Sequence, residues 1–206
     1  MVGIAEGDEV MRRWLLFGVA GLAALVTITA CSSSGNKSET NSTSATGSTT
    51  TPAASAHNQA DVTFAQSGIP HHEQAIPMSD TILGKQGIDP RVIQLATQFK
   101  ADQGPELQQM HSWLSQWGQP TLTMNPGMAM PGMLPDQDIT ALQNAQGVDA
   151  TKKFLTEMIE CHEGTIAMAE DEIKDGQYPP AVALAHQIST REQQENTTMQ
   201  GILDSL

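Results

Sequence analysis

Aromatic residues and positive charge are both scarce in this sequence. Phe, Trp and Tyr together make up 4% of it, and the eleven methionines are conspicuous beside them, although Met often serves only as a flexible core filler. Ten Lys and Arg stand against 23 Asp and Glu, a formal charge of −13. Nucleic acid and anionic lipid surfaces both call for a basic face, so neither is expected as a partner. Cysteine is limited to Cys31 and Cys161. The motifs of several enzyme classes are missing as well: there is no Gly-rich phosphate loop, no nucleophile elbow and no zinc-protease signature.

What is present begins with a leader. Residues 1–10 are acidic and unlike an export signal, but Met11-Arg12-Arg13 followed by the apolar run 14–30 has the charged and apolar regions of one. That pattern puts the translation start at Met11 and a signal peptide over residues 1–30. The run closes with Ile28-Thr29-Ala30-Cys31, which resembles the lipobox of bacterial lipoproteins, where the Cys is acylated. A plain membrane anchor is the rival, though seventeen apolar residues are marginal for spanning a bilayer. Residues 31–60 then form a Ser/Thr/Ala/Gly tether that cannot bury enough apolar surface to offset chain entropy. The expected location is the outer face of the cell membrane, with the lipid anchor at Cys31 and the folded part standing off it. With Cys31 acylated, Cys161 has no disulfide partner.

Residues 61–206 are organised by a repeat. Ile69-Pro70-His71-His72-Glu73-Gln74-Ala75-Ile76-Pro77-Met78 falls, ninety positions on, upon Ile159-Glu160-Cys161-His162-Glu163-Gly164-Thr165-Ile166-Ala167-Met168. Downstream the offset is eighty-nine: Gln98 falls on Gln187, Glu106 on Glu195, Met110 on Met199 and Leu114 on Leu203. Two copies of a helical hairpin with slightly different loops give this pattern. The copies cover about 61–118 and 149–206, joined by a Met-rich connector over 119–148.

Helix signals agree with that division. Asp61 is a candidate N-cap, and Phe64, Gly68, His71, Ala75 and Met78 form one helical stripe. Pro70 and Pro77 are expected to kink this first helix, and Gly104-Pro105 the second. Asp89-Pro90 starts the second helix, which runs to about Gln116 and stops at Gly118. A short helix is expected over 136–146, a third long one over 149–175, and a fourth beginning at Pro179-Pro180. Met158, Cys161, Thr165 and Met168 repeat the stripe of the first copy. The architecture is all-α: two hairpins related by a pseudo-twofold axis and packed as a four-helix bundle. In the connector, Met124, Met128, Met130 and Met133 are separated by Pro and Gly. They serve either as a hydrophobic plug on the bundle end or as a thioether site.

The double histidine pattern resembles the DUF305 family of secreted and lipid-anchored bacterial proteins, marked by Met-Ile-x-His-His with a Met about six residues on, once per repeat. The resemblance implies a ferritin-like four-helix bundle, with copper binding in some members and no defined activity for most. Here Gly68 replaces the first repeat's Met, Cys161 replaces the second repeat's first His, and Pro77 is added.

The residues themselves point the same way. His71 and Cys161 occupy equivalent positions, each with a Met seven residues on, Met78 and Met168, while Met110 and Met199 come from the partner helices. Convergence of imidazole, thiolate and thioether would favour copper, above all Cu(I). His72 and His162 sit one position round and are expected at the rim of the same face, with Glu73 and Glu163 solvated or orienting a ligating ring. A ferritin-like di-iron oxidase needs Glu-x-x-His, and Ile69 and Ile159 stand where that Glu would be. Three readings remain: copper sequestration or transfer with an unidentified partner protein, a ferritin-like metalloenzyme that oxidises metal, and a metal-free interaction module.

Overall fold

A computed structural model describes residues 56–122 and 130–206. Cys31, the signal peptide, most of the tether, Met124 and Met128 lie outside the described residues. Those residues form five helices and no strand: α1 (Gln59–Leu83), α2 (Pro90–Trp117), α3 (Asp136–Asn144), α4 (Gly147–Asp175) and α5 (Pro179–Leu203). Among them no helix is long and apolar enough to cross a membrane.

The helix starts follow from local chemistry. Asp89 caps α2 by accepting from the Arg91 N–H, with Pro90 at the first helical position, and Gly118 closes the helix at φ 65°. The start of α1 differs from the expected one. Asn58 is the cap, and Asp61 sits three residues in as the acidic half of a capping box. The Asp61 side chain has a second task, accepting from the Gln177 and Tyr178 N–H groups of the α4–α5 turn at 3.1 and 2.8 Å. Helix α1 is assigned without a break through Pro70 and Pro77, and α2 through Pro105. Helix α3 stops at Asn144, short of the expected 146, and α4 opens at Gly147, ahead of the expected 149.

Helix α1 packs on α2 and α4 on α5, and the two hairpins meet chiefly along α1 and α4. These two helices run antiparallel: Gly68 lies opposite Met168, and Asn58 Nδ2 donates to the Asp175 carbonyl at 2.7 Å. The core divides accordingly into two apolar clusters. One, toward the C-terminal half of α1, holds Met78, Ile82, Phe99, Phe154, Met158, Cys161 and Met199. The other, toward its N-terminal half, holds Phe64, Ile69, Met110, Trp113 and Ile188, with Met168 packed against it. Much of the small aromatic complement closes that second end, where Trp113, Trp117 and Tyr178 pack ring against ring at 5.3–6.1 Å.

The connector, from Met130 onward, lies along the α1–α4 face. It crosses α4 where Gly132 meets Gly164: a Cβ on Gly164 would come within 2.7 Å of the Gly132 Cα. Gly132 also takes φ 80°, a backbone region that favours glycine. Beyond the crossing, Gln74 holds Leu134 with a pair of hydrogen bonds, 2.9 and 3.0 Å. Leu134 and Leu142 are buried in the first cluster.

Candidate metal centre

The site begins with a missing side chain. A Cβ on Gly68 would lie 2.5 Å from the Met110 sulfur, 3.1 Å from its methyl and 3.7 Å from the Met168 methyl. The absent side chain of α1 therefore lets thioethers from α2 and α4 approach one spot on its surface. One turn further on is His71, 2% exposed. Its Nδ1 is 2.9 Å from the Ser67 carbonyl and its Nε2 2.9 Å from the Pro131 carbonyl.

A neutral imidazole has a single N–H and can donate to only one of these oxygens. When Nδ1–H donates to Ser67, Nε2 carries the lone pair that a soft cation needs; the other tautomer donates Nε2–H to Pro131 instead. His71 and Met168 also line a cavity of about 500 Å³, together with Met130, Phe64 and the acidic side chains Asp171, Glu172 and Asp175. Met133 is half-buried, its N–H closing a turn onto the Met130 carbonyl at 3.0 Å.

The remaining sulfurs group elsewhere. Met78, Cys161 and Met199 share the other cluster with Met158, each 2% exposed or less. His71 with Met168, and Cys161 with Met78, are thus held in separate halves of the core. Burial pushes the Cys161 thiol well up, and the nearby Glu192 and Glu160 add to it. No thiolate is ready there at neutral pH.

His72 and His162, expected at the rim, point into the bundle centre and are 1% and 0% exposed. His72 Nε2 lies 2.9 Å from Glu106, and Arg191 holds the same carboxylate with two hydrogen bonds of 2.7 and 3.1 Å. Burial alone would push Glu106 up, but the bonds from His72 and Arg191 outweigh it and hold the carboxyl below its ordinary range. His162 Nδ1 lies 3.1 Å from Asn196 Oδ1, its Nε2 has no described partner, and burial drives it down to about 3. Burial likewise pushes Glu195 up to about 7, although Arg191 pulls the other way. This centre joins all four long helices. Glu73 and Glu163 are exposed.

Sequence reasoning passed over three of these features: Arg191, the fully buried Glu192, and Glu172 beside Asp61. The signal for Arg191 was its repeat-equivalent Asp102, an opposite charge at a matching place. The two side chains stand 3.8 Å apart. Among the described residues no three His, Cys, Asp or Glu side chains gather as a ligand cluster. The donors that do gather, around Gly68, are thioethers with one imidazole.

Residues 61–203 match the family model described as Domain of unknown function (DUF305). A solved DUF305 fragment from Deinococcus radiodurans is 30% identical, covering 72% of this chain and 98% of its own, with a TM-score of 0.66. A DUF305 protein from Streptomyces coelicolor is 28% identical over 71% of this chain and 93% of that one, again at 0.66. CopM in its Cu(I)-bound form is 25% identical over 70% and 96%, with a TM-score of 0.60. No curated protein matches the sequence.

Proposed function

The chain belongs to the DUF305 family, and from its site we propose that it is an extracytoplasmic copper-binding protein, lipid-anchored at Cys31, that sequesters or hands on Cu(I). The observation that carries this reading is the approach of Met110 and Met168 at Gly68, one turn from an imidazole whose Nδ1 faces a carbonyl. Thioether sulfur and imidazole are neutral, soft to borderline donors that match Cu(I) and suit Mg or Ca poorly. None has to lose a proton first, unlike the buried Cys161 thiol. The proposed ligands are His71 Nε2, Met168, Met110 and Met130. Ligation displaces the Pro131 carbonyl from the ring.

The similarity to a protein solved with Cu(I), and also with Ag bound, supports a soft-metal site. The Streptomyces coelicolor relative has been assigned as secreted, in line with the leader and Cys31 of this chain. The acidic surface adds a general attraction for cations. Met78, Cys161 and Met199, the repeat-related group, are a secondary candidate that must be deprotonated and opened before it takes an ion. His72 and His162 are proposed as structural, since Glu106 and Asn196 engage them.

Metal analysis of the purified chain after anaerobic loading tests the reading. Bound Cu(I) in whole-number stoichiometry, with no comparable uptake of Zn(II), is the expected result. A chain that takes up no Cu(I) would overturn it.

A further inference from the structure

Gly68 and Gly164 each lie inside a long helix, where glycine is less stable than alanine. Each is matched by an intrusion. Gly68 admits the thioethers of Met110 and Met168. Gly164, buried in α4, admits backbone: a Cβ there would overlap the Pro131 carbonyl and stand 2.7 Å from the Gly132 Cα. The same Pro131 oxygen lies 2.9 Å from His71 Nε2. One carbonyl of the connector is thus wedged between α4 and the imidazole on α1.

The segment that carries this carbonyl is a tight turn. The Met133 N–H donates to the Met130 carbonyl at 3.0 Å, Pro131 takes the second place, and Gly132 takes the third at φ 80°, the marks of a type II turn. Its one internal hydrogen bond leaves the central carbonyl, that of Pro131, free to face His71. Met130, the first residue of the turn, lines the same cavity as His71 and Met168. The other end is clasped: Gln74 Oε1 accepts from the Leu134 N–H at 2.9 Å, and Gln74 Nε2 donates to the Leu134 carbonyl at 3.0 Å. Gln74 and Gly164 are repeat equivalents. The two copies meet the connector at the same position, one with a side chain that grips it and the other with no side chain at all.

We propose that Gly164 and Gln74 are positioning residues of the soft-donor site: they seat the Met130–Met133 turn so that the Met130 thioether stands beside His71 and Met168. This rests on the copper reading, in which Met130 is a donor, and adds the two residues that place it. A methyl on Gly164 meets backbone, which cannot swing aside as a flexible side chain does, so the turn has to lift from α4. The Pro131 carbonyl then leaves His71 Nε2, and Met130 leaves its place with it.

Two measurements on the full chain test this. In the metal-free protein, NMR of the histidine ring nitrogens should show the His71 Nε2 resonance moved in Gly164→Ala, as the ring settles into the tautomer that donates from Nδ1 to Ser67. The rings of His72 and His162, engaged by Glu106 and Asn196, should keep their resonances. Anaerobic chelator competition should then show Gly164→Ala weakening Cu(I) binding on the order of tenfold, as loss of a group that orients a donor typically does. Gln74→Ala, which adds no volume, should weaken it in the same direction, and it carries the affinity test if a thermal melt finds Gly164→Ala unfolded. In a Met130→Leu background neither change should cost further affinity, because the donor they place is gone. A merely structural role would cost the same in both backgrounds. A wild-type chain that binds no Cu(I) would defeat the copper reading and this proposal together. Normal wild-type uptake with an unmoved His71 resonance, with no loss in either variant, or with equal losses in both backgrounds would overturn this proposal alone.

Discussion

The sulfur of Met110 occupies the space that a side chain on Gly68 would need, 2.5 Å from where its Cβ would stand. Two effects of opposite sign follow from adding that Cβ. Alanine gains about 1 kcal/mol over glycine in a helix interior, while forcing a methyl into a packed core costs roughly 1–3 kcal/mol. Gly68→Ala should therefore change stability only modestly. The Met110 sulfur has to move, however, and Cu(I) affinity is expected to fall. Chelator competition beside a thermal melt checks this, and unchanged affinity would remove Met110 from the donor set.

The central network predicts a large stability effect at Arg191. Its guanidinium makes two hydrogen bonds to Glu106, whose side chain is 8% exposed. Removing one partner of a buried pair leaves the other charge uncompensated, at about 3–5 kcal/mol. Arg191→Met should fall at the lower end, about 3 kcal/mol, because Arg191 is itself 24% exposed. Urea unfolding measures it, and a variant as stable as the wild type would show that Glu106 is neutralised by other means.

Glu172 predicts a pH dependence. Burial, with the neighbouring Asp61 carboxylate adding to it, pushes this carboxyl from 4.5 up to about 8. The folded chain then holds a proton that the unfolded chain releases between those values. Its contribution to stability is complete below 4.5, declines as pH rises and is lost above about 8. Asp61 has the opposite sign. Burial raises it, but the backbone N–H groups of Asn58, Tyr178 and Gln177 outweigh that and hold it low, so its contribution is lost on acidification. Glu172→Gln should flatten the fall in Tm between about pH 6 and about pH 8.5 while leaving the acid limb in place. An identical slope in the variant would assign the alkaline loss to other groups.

Much of the fold was legible because its signals are local. Asp89-Pro90, Gly118 and Pro179-Pro180 mark helix ends through capping and φ preferences that act within a few residues. The offset of ninety then pairs the hairpins. The start of α1 was misread, since Asp61 is drawn inward by N–H groups of Gln177 and Tyr178 far along the chain. Pro70 and Pro77, expected to kink the first helix, lie within α1, which runs from Gln59 to Leu83 and packs on α2 and α4.

The site was half legible, for a geometric reason. His71 and Cys161 are equivalent in the repeat, but equivalent residues on antiparallel helices meet only where they lie on the axis relating them. Gly68 faces Met168, not Met158, so His71 joins the sulfurs of one half and Cys161 those of the other. The same antiparallel packing turns His72 and His162 inward. His72 shares Glu106 with Arg191, whose role cannot be read before the hairpins are aligned.

Competition for Cu(I) against a chelator, anaerobic and reducing, across three variants tests the central claim most directly. The double change His71→Ala, Met168→Leu should weaken binding on the order of tenfold or more, since losing even a group that merely orients a ligand typically costs about 10- to 100-fold. Cys161→Ser should leave the affinity within about twofold, because its thiol is buried and protonated in the other half of the core. The reverse order, with Cys161→Ser abolishing binding and the His71, Met168 pair dispensable, would contradict the account and move the centre to Met78, Cys161 and Met199.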